Sequence, residues 1–332
     1  MSTDKDSTAD LPRKIESIHR SPFVPPRWLV YTLLTLLLWG GWGLVSKPVA
    51  EKLSPWQLQS LSTIGLLPTA LLGFSKNLRT GANVRRAFLF AFGSGVIASL
   101  GNIAYYAALA SGGKAADVTP LTALYPLVTI ALAIVFLGER LNVFQAVGVV
   151  ASLAALYVFN VGSHSAWFTP WLALALIPIA LWGVSALLQK CSVMHGSSEL
   201  VTVGFLLGAL PISLLLPFWV EMKWTLPVST WAPALAVGLL FGLGNLTLIF
   251  AYATGGKASV VTPMSSVYSI VTIPLAVLLL GERLTGRETL GIALALGAAV
   301  ALSYESQRAG SCESVVVEHG APQKDRNRLA QT

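Results

Sequence analysis

Between about residues 28 and 303 the chain consists almost entirely of apolar runs of about 20 residues, separated by short polar breaks. A helix of about 20 residues crosses the hydrocarbon core of a bilayer, which is about 30 Å thick. Charged residues make up only 11% of the chain, against about 25% in soluble domains. The pattern therefore predicts an all-α integral membrane protein and argues against a soluble enzyme.

The polar breaks divide this region into ten predicted transmembrane helices. In chain order the predicted spans cover residues 28–46, 56–74, 87–110, 115–137, 143–160, 168–188, 198–219, 231–253, 258–280 and 286–303. Some breaks carry helix-start signals, such as the N-cap Ser54 followed by Pro55. Residues 1–27 form a polar head and residues 304–332 a polar tail. The spans leave no stretch for a soluble catalytic domain.

The basic residues predict the orientation in the membrane. With both termini in the cytoplasm, 16 Lys and Arg residues fall on the inside and 6 on the outside, as the positive-inside rule requires. The net charge of +7 is therefore interpreted as an orientation signal and not as a nucleic-acid-binding surface. We expect a multi-pass protein of the plasma (inner) membrane with both termini cytoplasmic, whose partner is the lipid bilayer and not nucleic acid.

The chain contains an internal repeat. Shifted by 143 residues, it aligns with itself without a gap from Trp39 to about Val150, with 23 identities over positions 101–150. The matches include residues that a shared apolar composition would not supply, such as Gly-Gly-Lys-Ala at 112–115 and 255–258. The two predicted five-helix units cover residues 28–160 and 168–303.

Because each unit has an odd number of spans, the second copy enters the membrane from the opposite side and the repeats are inverted. The connection 75–86 has four basic residues, whereas its counterpart has one, Lys223. Inverted repeats about an axis in the membrane plane are typical of secondary transporters, because two similar halves can exchange conformations. Some channels share this architecture, so a channel or facilitator for small solutes is the alternative.

Motifs in corresponding spans resemble a known family. Trp39-Gly40 and Trp182-Gly183 lie in the first and sixth spans, and Gly-Glu-Arg-Leu ends the fourth and ninth spans. Together with Leu-Tyr-Pro at 124–126, these motifs are similar to the drug/metabolite transporter superfamily, in its ten-helix EamA type with two EamA domains. The resemblance implies a central cavity lined mainly by spans 1, 3, 4, 6, 8 and 9. It also implies export of small organic metabolites or drugs.

Hydroxyl-bearing residues recur at helical spacing in the fourth span and again in the ninth. The two stripes are Thr119, Thr122, Tyr125 and Thr129, and Thr262, Ser265, Tyr268 and Thr272. Spacings of three and four place each set on one helix face, where hydroxyls can bind a solute without a buried charge. Packing between membrane helices explains such residues equally well. Tyr125 and Tyr268 are the strongest candidates for contact with a substrate.

Five further residues complete the candidate substrate-binding set: Trp39, Asn102, Tyr105, Trp182 and Asn245. An amide inside a span must be paired, either with a substrate or with a neighbouring helix, and the helix contact is the favoured reading. Tyr105 either stacks on a ring of the substrate or belongs to the interfacial belt. The resemblance places Trp39 and Trp182 at the cavity and not in an aromatic belt.

Two prolines are candidates for gating. Pro120 and Pro263 lie early in the fourth and ninth spans. Each either bends its helix or marks its start, and bent helices mark many transporter sites. In the second copy Ser269 stands opposite Pro126, which leaves the bend of the ninth span open.

The charged residues of the spans all lie at span ends. Glu139 and Glu282, in the two Gly-Glu-Arg motifs, are interpreted as helix-end signals or gate ion pairs. Asp117 is either a proton site or a favourable anion in a first helical turn, and the second is preferred. Because no carboxylate lies in the middle of a span, facilitated exchange stays open beside proton antiport.

The sequence predicts neither an enzyme nor a metal or cofactor site. No His and no pair of acids falls within a span. The patterns Gly204-x-x-x-Gly208 and Gly238-x-x-x-Gly242 allow close helix approach, within one chain in preference to a homodimer. The sequence thus predicts a secondary transporter that exports a small-molecule substrate by alternating access, with the solute itself left open.

Overall fold

The computed structural model describes residues 25–69, 81–137, 142–160, 169–254, 261 and 264–302. Within these ranges the defined helices are α1 (Arg27–Ala50), α2 (Pro55–Leu66), α3 (Val84–Ala110), α4 (Ala115–Thr122), α5 (Pro126–Leu137), α6 (Val143–Asn160), α7 (Pro170–Val193), α8 (Ser198–Trp219), α9 (Val228–Ala253), α10 (Ser269–Leu279) and α11 (Gly286–Leu302). Five of them, α1, α3, α7, α8 and α9, are long and apolar enough to cross a membrane.

The helix bounds repeat with the same shift of 143 residues as the sequence. The bounds of α7 are those of α1 moved by this shift. Helix caps repeat as well: Ser54 Oγ accepts a hydrogen bond from the Gln57 N–H at 3.2 Å, and Ser197 Oγ accepts one from the Leu200 N–H at 3.3 Å. Equivalent cap residues therefore start equivalent helices, α2 and α8.

The fourth predicted span is two helices and not one. α4 ends at Thr122 and α5 begins at Pro126, with a turn between them. Pro126 has no N–H to donate to the Thr122 carbonyl, so the Tyr125 N–H donates to that carbonyl instead, at 3.1 Å. The break therefore lies at residues 123–125. Pro120, the predicted bend, lies inside α4.

The second copy has the same turn without a proline. Residues 267–268 form a turn directly before α10, although Ser269 replaces Pro126 there. A Cβ added at Gly40 would lie only 3.1 Å from the Tyr268 carbonyl oxygen. α1 thus packs closely on the turn, and the ninth span is bent there although the sequence left its bend open.

Helices of one repeat pack mainly on helices of the other. α1 lies along α9 and α3 along α7, while α6 pairs with its own counterpart α11. Glycines allow close crossings: a Cβ at Gly95 would lie 2.0 Å from the Phe205 carbonyl oxygen, and one at Gly238 would lie 1.7 Å from that of Ser62. Gly95 and Gly238 are equivalent under the shift, as are Ser62 and Phe205. The bundle therefore has an approximate two-fold axis.

The two ends of the bundle take their names from the helices that end there. The α1 end contains the last turns of α1 and α3, where Lys47 Nζ donates to the Leu109 carbonyl oxygen at 3.0 Å. The α7 end contains the last turns of α7 and α9, where Val193 packs near Ile249.

The outer surface of the described bundle is strongly apolar. Exposed side chains on α6 and α8 include Val143, Val147, Val150, Leu214 and Phe218. An apolar surface of this extent suits lipid better than water. The four glycines of the predicted close-approach patterns all face helices of this same chain, so they serve packing within one subunit.

Candidate functional site

A cavity lies between the two repeats, with about 930 Å³ of empty space when the solvent at its opening is included. It begins near Trp42 and Tyr125 in the middle of the bundle and extends along α7 to Val193, the last residue of that helix. Its lining residues are Trp39, Trp42, Ala98, Tyr125, Thr129, Trp182, Ser185, Ala186, Gln189, Val193, Phe205, Phe241, Asn245, Leu248 and Tyr268. The cavity thus lies in the half of the bundle toward the α7 end.

Two equivalent Trp–Tyr pairs form the centre of the site. Trp39 meets Tyr268 edge to face with ring centroids 6.1 Å apart, and Trp182 meets Tyr125 in the same way at 6.5 Å. Each tyrosine comes from a turn that breaks a predicted span. A Cβ at Gly244 would lie 2.4 Å from the Trp39 ring, so a glycine is needed for the indole to lie across α9.

Aromatic side chains fill the space between this centre and the α1 end. Trp42 stacks on Tyr105 with centroids 4.6 Å and planes 22° apart, and its Nε1 donates to Tyr106 Oη at 3.3 Å. Both tyrosines are fully buried. In the second repeat, Ser185 takes the position of Trp42 and Leu248 that of Tyr105. Both of these smaller residues line the cavity.

The polar groups of the cavity wall are uncharged. Thr129, Ser185, Gln189 and Asn245 add hydroxyl and amide groups to an otherwise apolar and aromatic wall. Ser185 Oγ lies 2.7 Å from Ser94 Oγ of α3. Among the described residues, no Asp, Glu, Lys or Arg lines the cavity. Such a wall offers apolar contact, ring stacking and a few neutral hydrogen bonds.

The structure divides the predicted substrate-binding residues into two groups. Those that line the cavity are Trp39, Tyr125, Trp182, Asn245 and Tyr268. Those that are buried elsewhere are Asn102, Tyr105, Thr119, Thr122 and Ser265. Three predicted residues, Thr262 of the binding set and Pro263 and Glu139 of the gating set, lie outside the described residues.

The hydroxyls of Thr119 and Thr122 donate within their own helix, and neither residue lines the cavity. Each hydroxyl donates to a carbonyl oxygen one turn earlier in α4, and both side chains are fully buried. Thr129, which follows the break, lines the cavity and donates to the Gly183 carbonyl oxygen of α7 at 3.0 Å. The first part of the predicted stripe therefore has the packing role that the sequence left open.

The two asparagines differ in their surroundings. Asn102 Oδ1 accepts a hydrogen bond from Trp182 Nε1 at 3.2 Å, which links α3 to α7 and orients the indole. Asn245 lies at the cavity wall, where its Nδ2 donates to the Phe241 carbonyl oxygen at 2.9 Å. Asn102 thus makes the favoured helix contact, and Asn245 is placed to meet a solute.

Sequence reasoning missed several residues of the wall, among them Trp42, Ser185, Gln189, Phe205 and Phe241. The repeat contains a signal for them: at these positions a small residue in one copy aligns in sequence with a larger or more polar residue in the other. The pairs are Trp42 with Ser185, Ser46 with Gln189, Ser62 with Phe205, and Ala98 with Phe241. Differences between the copies therefore indicate cavity residues that shared motifs such as Trp39 and Trp182 do not reveal.

A polar contact between the repeats closes the α1 end. The Glu282 carboxylate accepts hydrogen bonds from the N–H groups of Ala115 at 2.8 Å and Ala116 at 2.9 Å. Lys114 Nζ forms an ion pair with Glu288 at 2.7 Å. A carboxylate at a helix N-terminus is favourable, so the loop between α10 and α11 is held on the start of α4.

Comparison with known families matches this architecture. A family described as the EamA-like transporter family matches residues 26–161 and 169–304, one match in each copy of the repeat. The chain belongs to this family. The EamA-like family confirms the resemblance and the all-α membrane fold that the sequence predicted. The chain is therefore an integral multi-pass membrane transporter of the drug/metabolite type, and its family is one of transporters and not of enzymes.

Two individual proteins are similar to the EamA-like chain. An uncharacterized protein of Methanocaldococcus jannaschii is 28% identical over 137 residues, which cover 41% of this chain and 97% of that protein. That relative is thus about as long as one repeat. A solved crystal structure has a TM-score of 0.60 and 20% identity, and the match covers 84% of this chain and 98% of the other. The second similarity shows a shared fold alone.

Proposed function

We propose that the protein exports small organic solutes by alternating access, with the cavity between the EamA repeats as its substrate site. One observation carries this proposal: the cavity reaches the α7 end, whereas aromatic packing fills the equivalent space at the α1 end. A carrier needs a site that is reached from one side at a time, between two halves that can exchange conformations.

The orientation of the chain gives the direction. With both termini in the cytoplasm, as the basic residues predict, α7 ends on the cytoplasmic side. The cavity then extends toward the cytoplasm, where an exported solute would be loaded. The α1 end, with Trp42 and Glu282, would be the external gate.

The repeat suggests what closes the cytoplasmic side in the opposite state. Under the shift of 143, Glu282 corresponds to Glu139, and Ala115 and Ala116 correspond to residues 258 and 259. In inverted repeats the same carboxylate cap would form at the other end. The two caps would form alternately, and each would replace the other at little net cost in free energy.

The cavity wall suggests the chemistry of the cargo. Seven aromatic side chains and a few neutral hydrogen-bonding groups suit a solute with apolar or ring character that is carried without an ion-pair partner. A channel for the same solutes is the competing function. The stack of Trp42 on Tyr105 interrupts a path through the described residues and so favours a carrier.

The first experiment compares the growth medium of a host expressing three forms of the protein. They are the parent, the double variant Tyr125→Ala/Tyr268→Ala, and Tyr157→Ala as a matched control, because Tyr157 is 69% exposed on α6, away from the cavity. We expect one solute to accumulate with the parent and with the control but not with the double variant, at equal membrane abundance. Equal media in all three strains would contradict export through this site.

The second experiment separates carrier from channel with the solute so identified. Liposomes containing the parent are loaded with unlabelled solute, and uptake of labelled solute is followed. A carrier gives transient accumulation by counterflow and a saturable rate. Equilibration without accumulation would instead establish a channel.

A further inference from the structure

We infer that Asp117 is a proton-binding site, and that its protonation stabilises the closed state of the α1 end. The inference rests on the proposed alternating access and adds a response to pH. Asp117 lies in the first turn of α4, is 2% exposed, and has one carboxyl oxygen, Oδ1, that is buried without a hydrogen-bond partner among the described residues.

The neighbouring acids do have partners. Glu282 accepts two backbone hydrogen bonds at the start of α4. Glu288 forms the ion pair with Lys114, and its other oxygen accepts the Thr285 N–H at 2.7 Å as a cap of α11. The carboxyl groups of Asp117, Glu282 and Glu288 thus lie together where the loop after α10 meets α4, and the two glutamates engage the groups that would otherwise stabilise a charged Asp117.

Four charged side chains interact electrostatically with Asp117, and they belong to α4, α11 and the loop after α10. They are Lys114 at the start of α4, Glu282 in the loop after α10, and Arg287 and Glu288 in α11.

Other helices packed against α4 contribute little charge. α10 has no titratable residue in its sequence, and the titratable residues of α7 lie in its last turns, at the opposite end. In α1, Lys47 Nζ forms an ion pair with Glu51 Oε1 at 2.9 Å. α3 adds the neutral phenols of Tyr105 and Tyr106.

Burial decides which protonation state fits this environment. Burying a carboxylate without its full set of partners has a high cost in free energy, whereas a protonated carboxyl is buried at much lower cost. The closed α1 end therefore favours the protonated form, and an opened end admits water, which favours the ionised form. Closure takes one proton from the solution at this end, and opening returns it. Low pH on that side thus stabilises the closed state, and rising pH releases it.

Part of the titratable cluster around Asp117 is not repeated in the other copy at the matching positions. Val260 stands opposite Asp117, Gln145 opposite Glu288 and Phe144 opposite Arg287. The lysine and the glutamate of the gate are retained as Lys257 and Glu139. The cap residues are therefore shared by both copies in sequence, whereas the titratable cluster belongs to the α1 end.

A thiol-accessibility assay in lipid nanodiscs tests the inference without any solute. Ser46→Cys serves as reporter in full-length protein carrying Cys191→Ser and Cys312→Ser. Ser46 is fully buried at the α1 end, and its counterpart Gln189 lines the cavity, so an open α1 end should expose it. Labelling by a charged maleimide is followed from about pH 5 to about pH 8 and divided by the rate at an exposed reference in the same region, Ser111→Cys.

We expect the normalised rate to rise with pH, by at most about tenfold per pH unit for one proton. The reporter with Asp117→Asn, which mimics the protonated form, should stay at the slow rate at every pH. The matched control Glu51→Gln, an exposed acid at the same end, should behave as the parent.

Two results would overturn the inference. A normalised rate in the parent that does not change with pH removes the proton site while leaving alternating access intact, and this measurement needs no variant of Asp117. A reporter that is unreactive at every pH shows that the α1 end does not open, which refutes the proposed function as well.

Discussion

The α1 end and the α7 end are built from equivalent helices, yet they differ in what fills them. At the α1 end Trp42 stacks on Tyr105. At the α7 end Ser185 and Leu248 occupy the same positions of the repeat and border the cavity. The bounds of α1 and α7 agree under the shift of 143, and those of α3 and α9 agree to within one residue, so this difference arises from side chains.

This difference separates two roles of the duplication. Glycines and capping residues that are shared between the copies position the helices, as in the crossings at Gly95 and Gly238. Residues that differ between the copies, such as Trp42 and Ser185, distinguish the filled α1 end from the cavity toward the α7 end. Stacking of a large aromatic pair stabilises the closed α1 end beyond the area it buries.

The largest effect is expected from substitutions at the glycine crossings that the two repeats share. Gly238→Ala would place a Cβ 1.7 Å from the Ser62 carbonyl oxygen, and Gly95→Ala would place one 2.0 Å from that of Phe205. Backbone atoms cannot move aside as a side chain can, so the two helices must separate, at a cost of about 1–3 kcal/mol or more. We expect both variants to lose monodisperse protein in size-exclusion chromatography.

The control for this prediction is Gly297→Ala, where nothing lies within 4 Å of the added Cβ. It should give the yield of the parent. Normal yield from either crossing variant would show that the two crossings are not equivalent in the folded protein.

The second prediction concerns a position at which the copies differ, Trp42 in the first and Ser185 in the second. Ser185→Trp puts an indole into the cavity at the position that corresponds to Trp42. We expect a folded protein whose counterflow activity falls at least about tenfold, since a loss of only 1.4 kcal/mol in binding has that effect. Ser185→Ala is the control, because it removes the hydrogen bond to Ser94 without filling the space. Equal losses in both variants would assign the effect to the hydrogen bond and not to the volume.

A third, smaller effect concerns the cap between the repeats. Glu282→Gln removes the charge that meets the Ala115 and Ala116 N–H groups. Such a cap is worth about 0.5–2 kcal/mol, which lowers the closed-to-open ratio of the α1 end by about 2- to 30-fold. Labelling of the Ser46→Cys reporter should therefore accelerate, and Glu51→Gln should leave it unchanged. A slower rate would mean that Glu282 holds this end open.

The sequence predicts the fold well where the physical signal is local. The length of the apolar runs, caps such as Ser54 and Ser197, and the repeat are all visible in the chain. The break before α10 is not, because no proline produces it. It coincides with close packing of α1 at Gly40 against the Tyr268 carbonyl, a contact between residues far apart in sequence.

The site is predictable in part for the same reason. Trp39, Tyr125, Trp182 and Tyr268 stand out as polar aromatic residues in matched motifs, and they line the cavity. Spacing alone cannot tell whether a hydroxyl such as that of Thr122 faces a cavity or bonds to its own helix. Phe205 gives no signal in an apolar helix, although its difference from Ser62 does.

The smallest expected effect compares two equivalent hydroxyls. Thr129 Oγ1 donates to the Gly183 carbonyl oxygen at 3.0 Å, and Thr272 Oγ1 donates to that of Gly40 at 2.8 Å. Thr272 is fully buried, whereas Thr129 borders the cavity, where water can replace its hydrogen bond. Thr→Val removes each hydroxyl at nearly constant volume, and such bonds between membrane helices are worth about 0.6 kcal/mol on average. We expect Thr272→Val to lower the thermal denaturation midpoint more than Thr129→Val, and the opposite order would mean that the cavity excludes water at Thr129.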